Sequence, residues 1–159
     1  MSYALIALGS NHQPVEHLRR AALGLRELGQ ILAASRVYQA AAQGQASAPP
    51  YWNAVLSLET ELDVLALYAA LKALEQASGR NRPSLLVSLD LDLLLYDELV
   101  RDAKPILPHP DLLSKRYVAL PAAEVASDRL HPLSRQSLQA IAESLTQPVL
   151  TPILTFHLL

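Results

Sequence analysis

The apolar residues of this 159-residue chain change their spacing several times before residue 97, and that succession limits the fold more than any other feature. Residues 3–8 form a short apolar run closed by Gly9-Ser10-Asn11, the pattern of a buried strand entering a turn. Val15, Leu18, Ala22, Leu25 and Leu28 then recur at helical spacing, with Glu16, Arg19, Arg20 and Arg26 largely on the other face and Gly29 as a stop. Residues 31–38 and 51–58 are rich in β-branched and apolar types or alternate, and predict a second and a third strand. Val64, Leu67, Leu71 and Leu74 predict a second helix between an Asp63 N-cap and Gly79, and residues 85–96 predict a fourth strand. Strand, helix, strand, strand, helix, strand is the order of an α+β fold, a ferredoxin-like βαββαβ antiparallel sheet with helices packed on one face.

Beyond residue 97 lies a less regular C-terminal extension. Pro105, Pro108 and Pro110 mark a connection, residues 117–120 predict a short strand, and residues 134–145 predict a helix. Residues 149–159 predict a further strand, confined to a sheet edge by Pro152. Residues 39–50 are rich in Ala, Gln, Gly, Ser and Pro and predict an exposed loop of the kind that covers a ligand. No repeat or linker divides the sequence, so one domain spanning residues 1–159 is expected, long enough to bury roughly two-thirds of its unfolded surface.

A net charge of −2 gives no broad attraction to nucleic acid or anionic membrane, so any anion site must be local. Without cysteine, a metal would be held by oxygen or imidazole ligands. The start lacks a basic n-region and no apolar run reaches the ~18 residues of a spanning helix, so the expectation is a cytoplasmic monomer that binds neither nucleic acid nor membrane.

The chemistry concentrates at Leu89-Asp90-Leu91-Asp92, followed by Leu93-Leu94-Leu95-Tyr96. Residues i and i+2 of a strand share a face, so Asp90 and Asp92 converge while Leu91 and Leu93 enter the core. Paired carboxylates repel unless a counter-charge meets them, and magnesium, which takes one or two carboxylates together with phosphate oxygens and water, suits the pair. Two acids on a solvated sheet face are the plainer alternative. A basic collar favours the metal reading: Arg80 and Arg82 precede the strand, and Lys104, His109, Lys115 and Arg116 follow it, so the ensemble fits a metal-bound polyphosphate. Tyr51 and Asn53 share another strand face, where a flat heterocycle could stack on the ring and hydrogen-bond to the amide; ordinary aromatic packing is the alternative.

These pieces, in order, resemble one family. Ala7-Leu8-Gly9-Ser10-Asn11, Tyr51-Trp52-Asn53-Ala54-Val55, Gly79-Arg80-Asn81-Arg82, the acidic strand, and Leu107-Pro108-His109-Pro110 through Arg116-Tyr117-Val118 look like the 6-hydroxymethyl-7,8-dihydropterin pyrophosphokinases over about residues 4–125. The resemblance implies a transferase of folate biosynthesis that moves pyrophosphate from ATP to the pterin hydroxymethyl group, giving AMP. It implies two magnesium ions on Asp90 and Asp92, catalytic roles for Arg80 and Arg82, and pterin contacts from Gly44, Tyr51, Asn53 and Tyr117. Lys104, His109 and Arg116 would meet or shape the triphosphate site. The chain departs from the family pattern at Val87, where an arginine is usual, in a shortened 82–89 connection, and at Ala40-Ala41-Ala42 in place of a Thr-Pro-Pro stretch. A paralogue with weakened catalysis or a different acceptor is the alternative.

Overall fold

The computed structural model describes residues 1–40, 48–79 and 85–159. In chain order the elements are β1 (Ser2–Ser10), α1 (Pro14–Arg26), β2 (Gln30–Ala34), β3 (Tyr38–Ala40), β4 (Tyr51–Thr60), α2 (Val64–Ala77) and β5 (Asp90–Tyr96). They are followed by α3 (Asp111–Ser114), α4 (Arg116–Ala126), α5 (Leu138–Ser144) and the two-residue β6 (Thr151–Pro152). The strands pair antiparallel in the order β5-β1-β4-β3-β6, with β2 also on β4. This is the α+β arrangement the periodicities predict.

Local chemistry sets the element ends. Asp63 Oδ1 accepts the Ala66 N–H at 2.8 Å, capping α2, and Gly79 adopts a φ of 81° at its end, a left-handed angle that costs glycine little. Pro14 opens α1, where its missing N–H would have had no partner inside the helix. Ser137 caps α5 by accepting the Ala140 N–H at 3.1 Å.

Two cores lie on opposite faces of the sheet. On one, Leu18, Ala22 and Leu25 of α1 and Leu67 and Leu71 of α2 cover Ile6, Leu8, Leu56, Leu58, Leu91 and Leu93. On the other, Val118, Ala119, Ala122 and Ala123 of α4 and Leu138, Ile141 and Ala142 of α5 cover Leu5, Val55 and Leu94. The helices of the βαββαβ unit thus share one face, as predicted, and the C-terminal extension covers the other. Among the described residues no helix is long and apolar enough to cross a membrane.

Five expected elements differ, among them the helix expected over 134–145, which begins only at Leu138 behind its Ser137 cap. Residues 117–120 belong to helix α4, not a strand: the buried Val118, Ala119, Ala122 and Ala123 recur at helical spacing, and a four-residue apolar window is too short to distinguish the two periods. The strand expected over 31–38 is split into β2 and β3, because at the break the Ser35 hydroxyl accepts the Val55 N–H at 2.9 Å in place of a ladder carbonyl. The fourth strand begins at Asp90, since Asn11 draws residues 85–87 aside: its side chain donates to the Leu85 carbonyl at 2.8 Å and accepts the Val87 N–H at 2.5 Å. Of residues 149–159, only Thr151–Pro152 pairs as strand, and the tail then buries Phe156 and Leu158 in the α1 core.

Candidate active site

One row across the sheet carries the central arrangement. Gly9 of β1 pairs with Asp90 on one side and with Asn53 on the other; in the next row on that face, Ala7 pairs with Asp92 and with Val55. Alternation therefore turns Asp90, Asp92, Asn53 and Tyr51 toward the α4 side of the sheet, while Leu91 and Leu93 fill the α1 and α2 core. A Cβ on Gly9 would lie 3.3 Å from Asn53 Oδ1 and 3.8 Å from Asp90 Cβ, so glycine keeps the floor of the row open.

Above this floor lies a cavity of about 280 Å³, walled by Tyr51, Asn53, Asp90, Asp92, Asp111 and Tyr117, with Ala7 and Gly9 beneath. The Asn53 Nδ2 atom is buried and has no hydrogen-bond partner among the described residues, which is unusual for a buried donor and marks a place for a ligand acceptor. Tyr117 reaches the cavity from the first turn of α4. Burial, and then the Asp111 and Asp92 carboxylates, push its phenol above 10.0, so it stays a neutral donor.

Asp92 sits at the cavity edge with 41% of its side chain exposed, yet desolvation by its surroundings raises its carboxyl above 3.8. His109 opposes that rise and Asp90 reinforces it. His109 Nε2 lies 3.9 Å from Asp92 Oδ1, and His109 Nδ1 accepts the Asp111 N–H at 3.1 Å, which places a ring proton on Nε2 facing the carboxylate. Asp92, His109 and Asp111 each offer a ligand atom within 4.8 Å of the others. With His109 Nε2 carrying a proton, the available donors are carboxylate oxygens, and a raised carboxyl wanting a positive neighbour fits a hard divalent cation.

The family comparison decides what such a site belongs to. A model of the family described as 7,8-dihydro-6-hydroxymethylpterin-pyrophosphokinase (HPPK) matches residues 5–127. The chain belongs to this pyrophosphokinase family. It is 37% identical over 141 residues to the 2-amino-4-hydroxy-6-hydroxymethyldihydropteridine pyrophosphokinase of Haemophilus influenzae, covering 85% of this chain and 88% of that one. It is 33% identical to the Pseudomonas aeruginosa protein of the same name, covering 86% and 88%. Its fold matches the HPPK-DHPS of Plasmodium falciparum with a TM-score of 0.71 at 12% identity, over 90% of this chain and 43% of that longer one.

Against the site expected of a pyrophosphokinase, the structure brings Asp90, Asp92, Tyr51, Asn53 and Tyr117 to one cavity and His109 to its edge. Arg80, Arg82 and Gly44 lie outside the described residues. Lys104 is exposed on the proline-rich connection, where its carbonyl accepts from Arg101 Nη2 at 3.1 Å, and it does not line the cavity. Arg116 Nη1 donates to the Pro148 carbonyl at 3.1 Å, tying α4 to the C-terminal segment. Val87, at the position of the usual arginine, is buried. Sequence reasoning missed Asp111 and the floor role of Gly9; Asp111 could have been noticed two residues beyond His109, and Gly9 as the small residue of the first motif.

Proposed function

We propose that Asp90 and Asp92 hold two magnesium ions that carry ATP, and that the chain transfers its pyrophosphoryl unit to 6-hydroxymethyl-7,8-dihydropterin as a step of folate biosynthesis. The hydroxymethyl oxygen bonds to the β-phosphorus and releases its proton to water, the bond from that phosphorus to the α,β-bridging oxygen breaks, and AMP leaves with that oxygen. The observation that carries the reading is the Asp90-Gly9-Asn53 row, which sets an acidic pair beside a buried, unpartnered amide donor in one cavity.

Each residue has a part in that reaction. Asn53 hydrogen-bonds the pterin edge, and Tyr51 and Tyr117 flank its ring. Bound magnesium neutralises phosphate charge and draws the nucleotide to the carboxylates. His109 presents its Nε2–H toward Asp92 at 3.9 Å, and in this reading the same N–H donates to a phosphate oxygen of the bound nucleotide. The family resemblance gives Arg80, Arg82, Lys104 and Arg116 roles toward the nucleotide and Gly44 a role toward the pterin. Such catalysis rests on alignment and charge neutralisation, with no covalent intermediate.

A monomer acting in the cytoplasm, with residues 1–159 as one domain, belongs to the same proposal. The deciding assay incubates the chain with ATP, magnesium and the reduced pterin. AMP and pterin diphosphate are expected in equal amounts, and the absence of AMP would defeat the reading. Asp90→Ala should abolish turnover and leave the fold intact.

A further inference from the structure

Leu91 stands between the two acids with its side chain fully buried in the opposite core. Its backbone groups face the outer edge of β5, away from β1, where no further strand is paired among the described residues. Two side chains of α2 take that place. The Leu91 N–H donates to Glu75 Oε2 at 2.7 Å, and the Leu91 carbonyl accepts from Lys72 Nζ at 3.0 Å. Lys72 Nζ and Glu75 Oε2 are themselves 3.0 Å apart, and Glu75 is only 6% exposed.

The Leu91 nitrogen belongs to the peptide unit shared with Asp90, and the Leu91 carbonyl to the unit shared with Asp92. One ion pair therefore grips both peptide planes linking the two carboxylates. Covering a sheet edge needs only a donor and an acceptor, and a buried ion pair adds little stability over apolar packing because both charges lose water. Fixed orientation of metal ligands gives a better reason for charges here, since ligands must be held within tenths of an ångström.

We propose that Lys72 and Glu75 are positioning residues whose grip on Leu91 sets the relative orientation of Asp90 and Asp92 for divalent-cation binding. The inference rests on the metal reading above. Both charges also reach Asp92, Lys72 favouring its ionised form and Glu75 opposing it.

The test titrates magnesium chloride into the full chain with a non-hydrolysable ATP analogue by calorimetry, and measures pterin KM separately. Lys72→Met and Glu75→Leu should weaken magnesium binding by about 10- to 100-fold, with pterin KM within about twofold of wild type. Glu75→Gln, which keeps an acceptor for the Leu91 N–H, should recover most of the loss. Unchanged magnesium binding in Lys72→Met overturns the proposal, as does a loss that falls equally on magnesium and pterin and tracks the melting temperature. If Glu75→Leu does not fold, Lys72→Met decides alone, because Glu75 still holds the Leu91 N–H there. A wild type that makes no AMP defeats the pyrophosphokinase reading while the titration still judges the grip; a wild type that binds no magnesium overturns the grip as well.

Discussion

Asn53 and Asp90 face each other across Gly9, whose missing side chain leaves them one continuous floor. At 3.3 Å from Asn53 Oδ1, an added Cβ forces the amide to shift, and a branched side chain also meets Asp90. Gly9→Val should therefore weaken pterin binding by about 1–3 kcal/mol, as overpacking typically does, with Gly9→Ala in between. Calorimetry with the reduced pterin measures this, and an unchanged Kd in Gly9→Val would show that the floor is not the pterin site.

Asn53→Ala separates recognition from folding. Its Nδ2 has no partner among the described residues, so removing the amide relieves a buried, unpaired donor. Pterin affinity should fall by about 1–3 kcal/mol while the melting temperature of the free protein holds or rises. A large fall in melting temperature would mean that the amide serves the fold.

Asp92→Asn should trade activity for stability. Because burial raises the folded carboxyl above 3.8, its ionisation opposes folding, and that penalty is complete once pH exceeds the folded value. At neutral pH without divalent ions, Asp92→Asn should melt slightly higher than wild type, with turnover down by at least about 100-fold. Magnesium with ATP should then stabilise wild type and leave the variant unmoved. A variant less stable than wild type in the absence of metal runs against this account.

His131 governs a response to acid remote from the site. Its side chain is 1% exposed, and its Nδ1 accepts the Leu133 and Ser134 N–H groups at 3.2 and 3.0 Å. Burial lowers its folded value below 6.5, so its contribution to stability is full above 6.5 and is lost as pH falls through the folded value. His131→Asn, which offers a similar acceptor, should flatten that acid limb in urea denaturation at pH 7.5 and 5.5. Parallel pH curves for the two proteins would remove His131 from the explanation.

Several features of the site are legible in the order of residues. The alternation of residues 89–96 is enough to put Asp90 and Asp92 on one face, and the same period brings Tyr51 and Asn53 together on another strand. Other features are hidden there because they join residues far apart in the chain: Glu75 and Leu91 are separated by 16 positions and Asn11 and Val87 by 76. The helix at 116–126 escapes a local reading because Tyr117-Val118-Ala119-Leu120 suits either period, and the helical stripe emerges only with Ala122 and Ala123.

By itself, the sequence determined the βαββαβ order before residue 97 and the facing of the acidic pair, because periodicity is a local property of a few bonded neighbours. Tertiary structure alone decided that α4 brings Tyr117 over the sheet, that His109 turns its Nε2 toward Asp92, and that α2 grips the strand between the acids. Those contacts depend on where the chain returns in space, and that is fixed by the packing of whole elements rather than by any one stretch of residues.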